Sequence, residues 1–235
     1  MVISTNPGDY QTFRIIYEIT SAIICLLLVR FMIKPYQITG ENRYIGLPLG
    51  FGLLGATYAL SAFVYFQPLF LGRATIYIQL ILRTFAFIFL SVTYFFSRKN
   101  AENKRWIWNT TLTLLIGVFL TLFVFVSIPD TNLPNYQSLC FSIRIINLIL
   151  IGYICAHTLR SHLEKPDPET LWIPLGYILL AISQYALIIW ALDESYSAFF
   201  SALAIRWIGL VTFLIVAYRS FYNPKKRVQN EENCT

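Results

Sequence analysis

Residues 106–128, WIWNTTLTLLIGVFLTLFVFVSI, hold no charged side chain. At about 1.5 Å of rise per residue a helix of this length covers roughly 34 Å, enough for a hydrocarbon core of about 30 Å. Strands of a membrane barrel are much shorter and alternate in polarity, and backbone in lipid must satisfy its hydrogen bonds internally. The stretch therefore predicts a transmembrane helix. The chain on one side of it reads as a diverged copy of the chain on the other, which makes it the unpaired helix of a seven-helix protein.

The copy is carried by particular residues. A shift of 130 pairs Arg14 with Arg144, Cys25 with Cys155 and Arg30 with Arg160, beside four isoleucine pairs. Further on, Pro48-Leu49-Gly50 matches Pro174-Leu175-Gly176, with Leu53-Leu54 against Leu179-Leu180 in the same register. One residue of slippage later Tyr58-Ala59-Leu60 meets Tyr185-Ala186-Leu187, and then Arg83 falls opposite Arg206 and Tyr94 opposite Tyr218.

Of 235 residues 57% are apolar and 13% charged, with a mean hydropathy of +0.60. That much apolar surface belongs in lipid. Seven spans follow from length and flanking charge: 12–33, 45–66, 75–96, 106–128, 139–159, 171–192 and 198–218. The expected fold is all-α and polytopic, with two parallel three-helix repeats. The first repeat is residues 1–100, the linker helix 101–132, the second repeat 133–222, and 223–235 is a basic tail. Residues 1–11 read as a short mobile segment. Asp9 stands where a signal peptide carries Lys or Arg, so the first span is expected to remain in the mature protein.

The net charge of +6 does not point to nucleic acid. Thirteen of the 18 basic residues sit on alternate span ends: Arg30, Lys34 and Arg43; Arg98, Lys99, Lys104 and Arg105; Arg160 and Lys165; Arg219, Lys225, Lys226 and Arg227. By the positive-inside rule the N-terminus is outside and the C-terminus cytoplasmic, with the cell membrane as the expected location and lipid as a partner. Cys25 and Cys155 lie deep in apolar spans, Cys140 near the outer face and Cys234 in the tail, so neither a disulfide nor a metal cluster is expected.

Along the chain, the first helix is expected to end at Lys34-Pro35-Tyr36, and Pro48 to sit in the first turn of the second. Gly50-Phe51-Gly52-Leu53-Leu54-Gly55 spells a dinucleotide fingerprint, but inside an apolar span without a preceding strand it reads as close helix packing. Trp106 and Trp108 are expected at the membrane interface, and His157 as a packed histidine rather than a ligand. The connections are too short to hold a separate soluble catalytic or DNA-binding domain.

The chemistry is concentrated in buried charge. Arg83 and Arg206 each lie eight residues into their span, about 12 Å deep. A charge near the bilayer centre costs roughly 2.5 to 3.5 kcal/mol even on lenient scales, so such residues normally face the bundle interior. Arg144 and Arg14 add two more cations in the outer half, against Glu18, the only acid within any span. This imbalance predicts an outward-facing cavity that binds a small polar or anionic solute, with Arg83, Arg206, Arg144, Glu18, Gln79, Asn147 and Gln184 as its binding residues. The competing structural reading has arginines snorkelling to phosphates or bonding backbone carbonyls, and Glu18 either neutralising one of them or carrying a proton. Paired carboxylates, Cys and His clusters and serine nucleophile motifs are lacking, so no enzyme activity, cofactor or metal is expected.

An order of three helices, one linker and three helices, with short loops, resembles the SWEET sugar transporters and related vitamin transporters, and also the microbial rhodopsins. The resemblance is one of architecture and implies a carrier or a receptor. The proline-glutamine pairs of the PQ-loop relatives do not occur in the first and fifth spans. Every lysine (34, 99, 104, 165, 225, 226) lies in a loop, so no span offers an amine for a retinal Schiff base. Three functions stay open: a transporter, a receptor or sensor signalling to a separate partner, and an assembly subunit of a membrane complex or homo-oligomer.

Overall fold

The computed structural model describes residues 7–39, 42–66, 73–97, 104–128, 134–164, 171–193 and 195–222. They form seven α-helices, α1 (Pro7–Thr39), α2 (Gly46–Phe66), α3 (Arg73–Ser97), α4 (Lys104–Ser127), α5 (Tyr136–Glu164), α6 (Trp172–Asp193) and α7 (Tyr196–Tyr222), with a 3-10 turn at Asn42–Ile45. All seven are long and apolar enough to cross a membrane, and there is no strand among the described residues. The basic residues Arg98, Lys99 and Lys165, the tail 223–235 with Cys234, and most of the N-terminal segment's side chains lie outside the described residues.

Six helices close a ring: α1 packs on α2, α2 on α3, α3 on α5, α5 on α6, α6 on α7 and α7 on α1. Helix α4 lies outside it against α3 and the 3-10 turn, with only 6% of its apolar window buried. A helix apolar on every side suits this position, because lipid accepts all its faces. The ring is filled by fully buried side chains from all six members, among them Leu28, Phe51, Leu54, Phe87, Leu90, Ile151, Ile154, Tyr177 and Leu210.

Close approach depends on several glycines, two of them at matched places in the two halves of the chain. A Cβ at Gly50 would stand 2.6 Å from Leu90 Cγ, and one at Gly176 would stand 2.7 Å from Phe213 Cζ. Each glycine thus receives a large side chain from the next helix, and in each case that side chain comes seven residues after an arginine, Arg83 or Arg206. The fingerprint-like glycines are packing residues: Gly50 admits α3, and Gly55 lies against Cys25 of α1.

At one end of the bundle α1, α3, α5 and α7 begin, joined by hydrogen bonds from Gln11 Nε2 to the Tyr65 carbonyl at 2.6 Å and from Tyr77 Oη to the Pro134 carbonyl at 2.7 Å. At the other end Tyr177 donates to Tyr94 Oη at 3.2 Å, and His157 packs beside Tyr94 with ring centroids 5.8 Å apart.

Two local expectations are corrected. Helix α1 does not end at Pro35 but runs through it to Thr39. Proline removes one donor from the ladder, and so close to the helix end the loss is small beside the bonds that continue around it. Helix α5 begins at Tyr136 rather than Leu139 and extends to Glu164, where Arg160 and Glu164 pair at 3.2 Å one turn apart. Trp108 is buried against Phe96, and Trp106 is exposed.

Candidate functional site

The end of the ring where the odd-numbered helices begin contains a pocket of about 250 Å³. Every ring helix contributes to it. Arg14 and Glu18 come from α1, one turn apart, and Gln79, Leu80 and Arg83 come from one face of α3. Helix α2 supplies Ser61 and Tyr65, and α5 supplies Tyr136 and Arg144. Helices α6 and α7 complete the wall with Leu187 and Trp190, and with Phe199, Leu203 and Arg206. The lining therefore holds four guanidinium groups against one carboxylate.

The four arginines are held differently. Arg206 Nη2 lies 3.0 Å from Glu18 Oε2, both side chains 3% exposed, and its guanidinium carbon sits 4.3 Å from the centroid of the Tyr58 ring. The contact is a buried ion pair. Burying two charges is offset only when they compensate each other, and here α1 and α7 do so across their seam. Arg144 Nη1 donates to the Leu187 carbonyl of α6, with Trp190 5.5 Å away. The guanidinium carbon of Arg14 sits over the Tyr65 ring at 3.5 Å and over Phe199 at 4.5 Å, cation–π contacts that suit a planar cation.

Arg83 differs. Its guanidinium carbon is 6.0 Å from the Tyr58 centroid, its Nε is buried with no hydrogen-bond partner, and it makes no ion pair among the described residues. Arg83 and Arg206, matched in sequence, thus both stand near Tyr58 in unlike states, one paired with a carboxylate and one not among the described residues.

Of the residues expected to bind solute, the pocket brings together Arg83, Arg206, Arg144, Glu18 and Gln79. It does not bring in Asn147 or Gln184, which are buried outside its lining with Asn147 Oδ1, Asn147 Nδ2 and Gln184 Oε1 lacking partners among the described residues. Asn147 follows Arg144 by three residues, which turns it about 60° away and sets it about 4.5 Å deeper. Sequence reasoning missed Tyr65, Tyr136, Trp190 and Phe199, because aromatics near span ends read as an interfacial belt. Cys25, Cys140 and Cys155 are free thiols.

These features define a multi-pass helical membrane protein with a cationic pocket inside its helix ring. Comparison with protein families, curated proteins and solved structures found no match to this chain.

Proposed function

We propose that the pocket binds a small anionic solute and that the protein carries it across the membrane. The observation that supports this most directly is Arg83, a guanidinium on the pocket wall without a counter-charge among the described residues, beside three further arginines. A cation at that depth is costly in isolation, and a bound anion would offset the cost. The orientation we propose has the N-terminus and pocket outside and the basic ends of the helices in the cytoplasm of a cell membrane.

The carrier mechanism rests on two parallel three-helix units, α1 to α3 and α5 to α7. Exchanging α1 with α5, α2 with α6 and α3 with α7 leaves the order of the ring unchanged, and the Gly50 to Leu90 and Gly176 to Phe213 contacts exchange with each other. Both favour a two-fold relation between the units, as in the SWEET-like architecture. The units meet at two seams, α1 on α7 and α3 on α5. Rocking at these seams would expose the pocket alternately to either side, with α4 restoring parallel direction to the second unit.

The test is thermal unfolding of the purified protein across a panel of small anions and their neutral analogues, in wild type and Arg83→Gln. A ligand at a hundred times its dissociation constant stabilises by about 2.7 kcal/mol. The expected result is stabilisation by anions alone, lost in Arg83→Gln. Equal stabilisation of both proteins would refute the role of Arg83. Uptake of the stabilising anion into proteoliposomes then separates a carrier from a receptor that uses the same pocket.

A further inference from the structure

We infer that the solute is a small aromatic monocarboxylate, with its carboxylate on Arg83 and its ring beside Trp190 and Phe199 on the pocket wall. This rests on the anion-binding reading above and narrows it to one chemical class.

The charge of the ligand follows from how the cations are occupied. Arg206 is neutralised by Glu18 at 3.0 Å, Arg144 is anchored on the Leu187 carbonyl, and Arg14 sits over the Tyr65 ring. Among the described residues Arg83 alone of the four has no ion pair, no carbonyl partner and no close ring. One uncommitted guanidinium, with its planar fork of donors, matches one carboxylate. Gln79, one turn earlier on the same face of α3, offers an amide to the second oxygen.

The body of the ligand follows from the remaining wall. Part of the wall is apolar, and Leu80, Leu187 and Leu203 offer no donor to the oxygens of an inorganic oxyanion. A sugar needs many acceptors as well as donors, whereas four of the polar groups on this wall are guanidiniums that only donate and its one carboxylate already faces Arg206. What the wall does offer is aromatic surface. Trp190 and Phe199 stand with ring centroids 5.0 Å apart, each with a guanidinium within reach, at 5.5 Å for Arg144 and 4.5 Å for Arg14. A ring slipped against them gains stacking and keeps its carboxylate among cations. A volume of about 250 Å³ is below the roughly 300–1,000 Å³ of drug-sized sites, which limits the ligand to a single ring with a short substituent.

The experiment is isothermal titration of the full-length protein in nanodiscs with four probes: benzoate, its neutral isostere benzamide, acetate, and sulfate. We expect benzoate to bind best, with benzamide and acetate each about tenfold weaker, since each lacks one of the two recognition elements. Arg83→Gln should reduce benzoate to the affinity of benzamide, and Trp190→Leu should weaken benzoate while leaving acetate unchanged. The comparison of probes on the wild type needs no variant to fold. If acetate or sulfate binds as tightly as benzoate and Arg83→Gln removes both, the anion site stands and the aromatic class is refuted. If no anion binds the folded wild type, both fall together.

Discussion

Glu18 and Arg206 illustrate how much a single buried charge depends on its partner. Removing one member leaves the other uncompensated where little water reaches, so Glu18→Gln should destabilise the protein by about 3 kcal/mol, read from denaturant or thermal unfolding in detergent. The double variant Glu18→Gln, Arg206→Gln should recover most of that loss, because no unpaired charge remains. Arg83→Gln makes the contrasting case. Among the described residues it breaks no ion pair, and it relieves repulsion among like charges and removes a costly cation, so the ligand-free variant should be at least as stable as wild type. The types and depths of these residues were legible in the sequence, since both depend only on position along one helix. Which arginine Glu18 would choose was not, because Arg14 one turn away on its own helix was an equal candidate, and the choice depends on how α7 is rotated against α1.

The glycines show the same distinction at the level of helices. Gly50, Gly176 and Gly117 are alike as residues of apolar helices, and their substitution should give unlike results. Gly50→Ala and Gly176→Ala would each push a methyl into Leu90 or Phe213, and should cost about 1–3 kcal/mol through displaced packing. At Gly117 nothing lies within 4 Å of the added Cβ, and alanine should be neutral or stabilising by up to about 1 kcal/mol through helix propensity. Adding Leu90→Ala to Gly50→Ala should restore part of the loss; if it does not, the clash is not the cause. The packing role of Gly50 and Gly55 was readable from their setting in an apolar span. Helix ends were less so. Hydropathy marks where lipid stops, whereas α1 and α5 continue their backbone hydrogen bonds into the interface, past Pro35 and up to Glu164. For the same reason Tyr136, expected in a loop, is a helical residue of the pocket wall.

For the whole molecule the decisive quantity is direction across the membrane, since it determines which compartment the pocket faces. The pocket lies where α1, α3, α5 and α7 begin, and Arg160 and Arg219 lie toward their other ends. If the positive-inside rule governs insertion, the pocket is outside. Single cysteines in a background freed of native thiols can decide this. Ser197 is exposed beside the start of α7 and Ser161 is exposed near the end of α5, so the two lie at opposite ends of the bundle. In intact cells a membrane-impermeant maleimide should label Ser197→Cys at once, and Ser161→Cys only after permeabilisation. The opposite pattern would put Arg83 and its neighbours on the cytoplasmic side, and the proposed carrier would then have been captured open to the cell interior. Labelling of both positions in intact cells would mean dual orientation, which the one-sided clustering of arginine and lysine argues against, because those charges resist translocation whichever half inserts first.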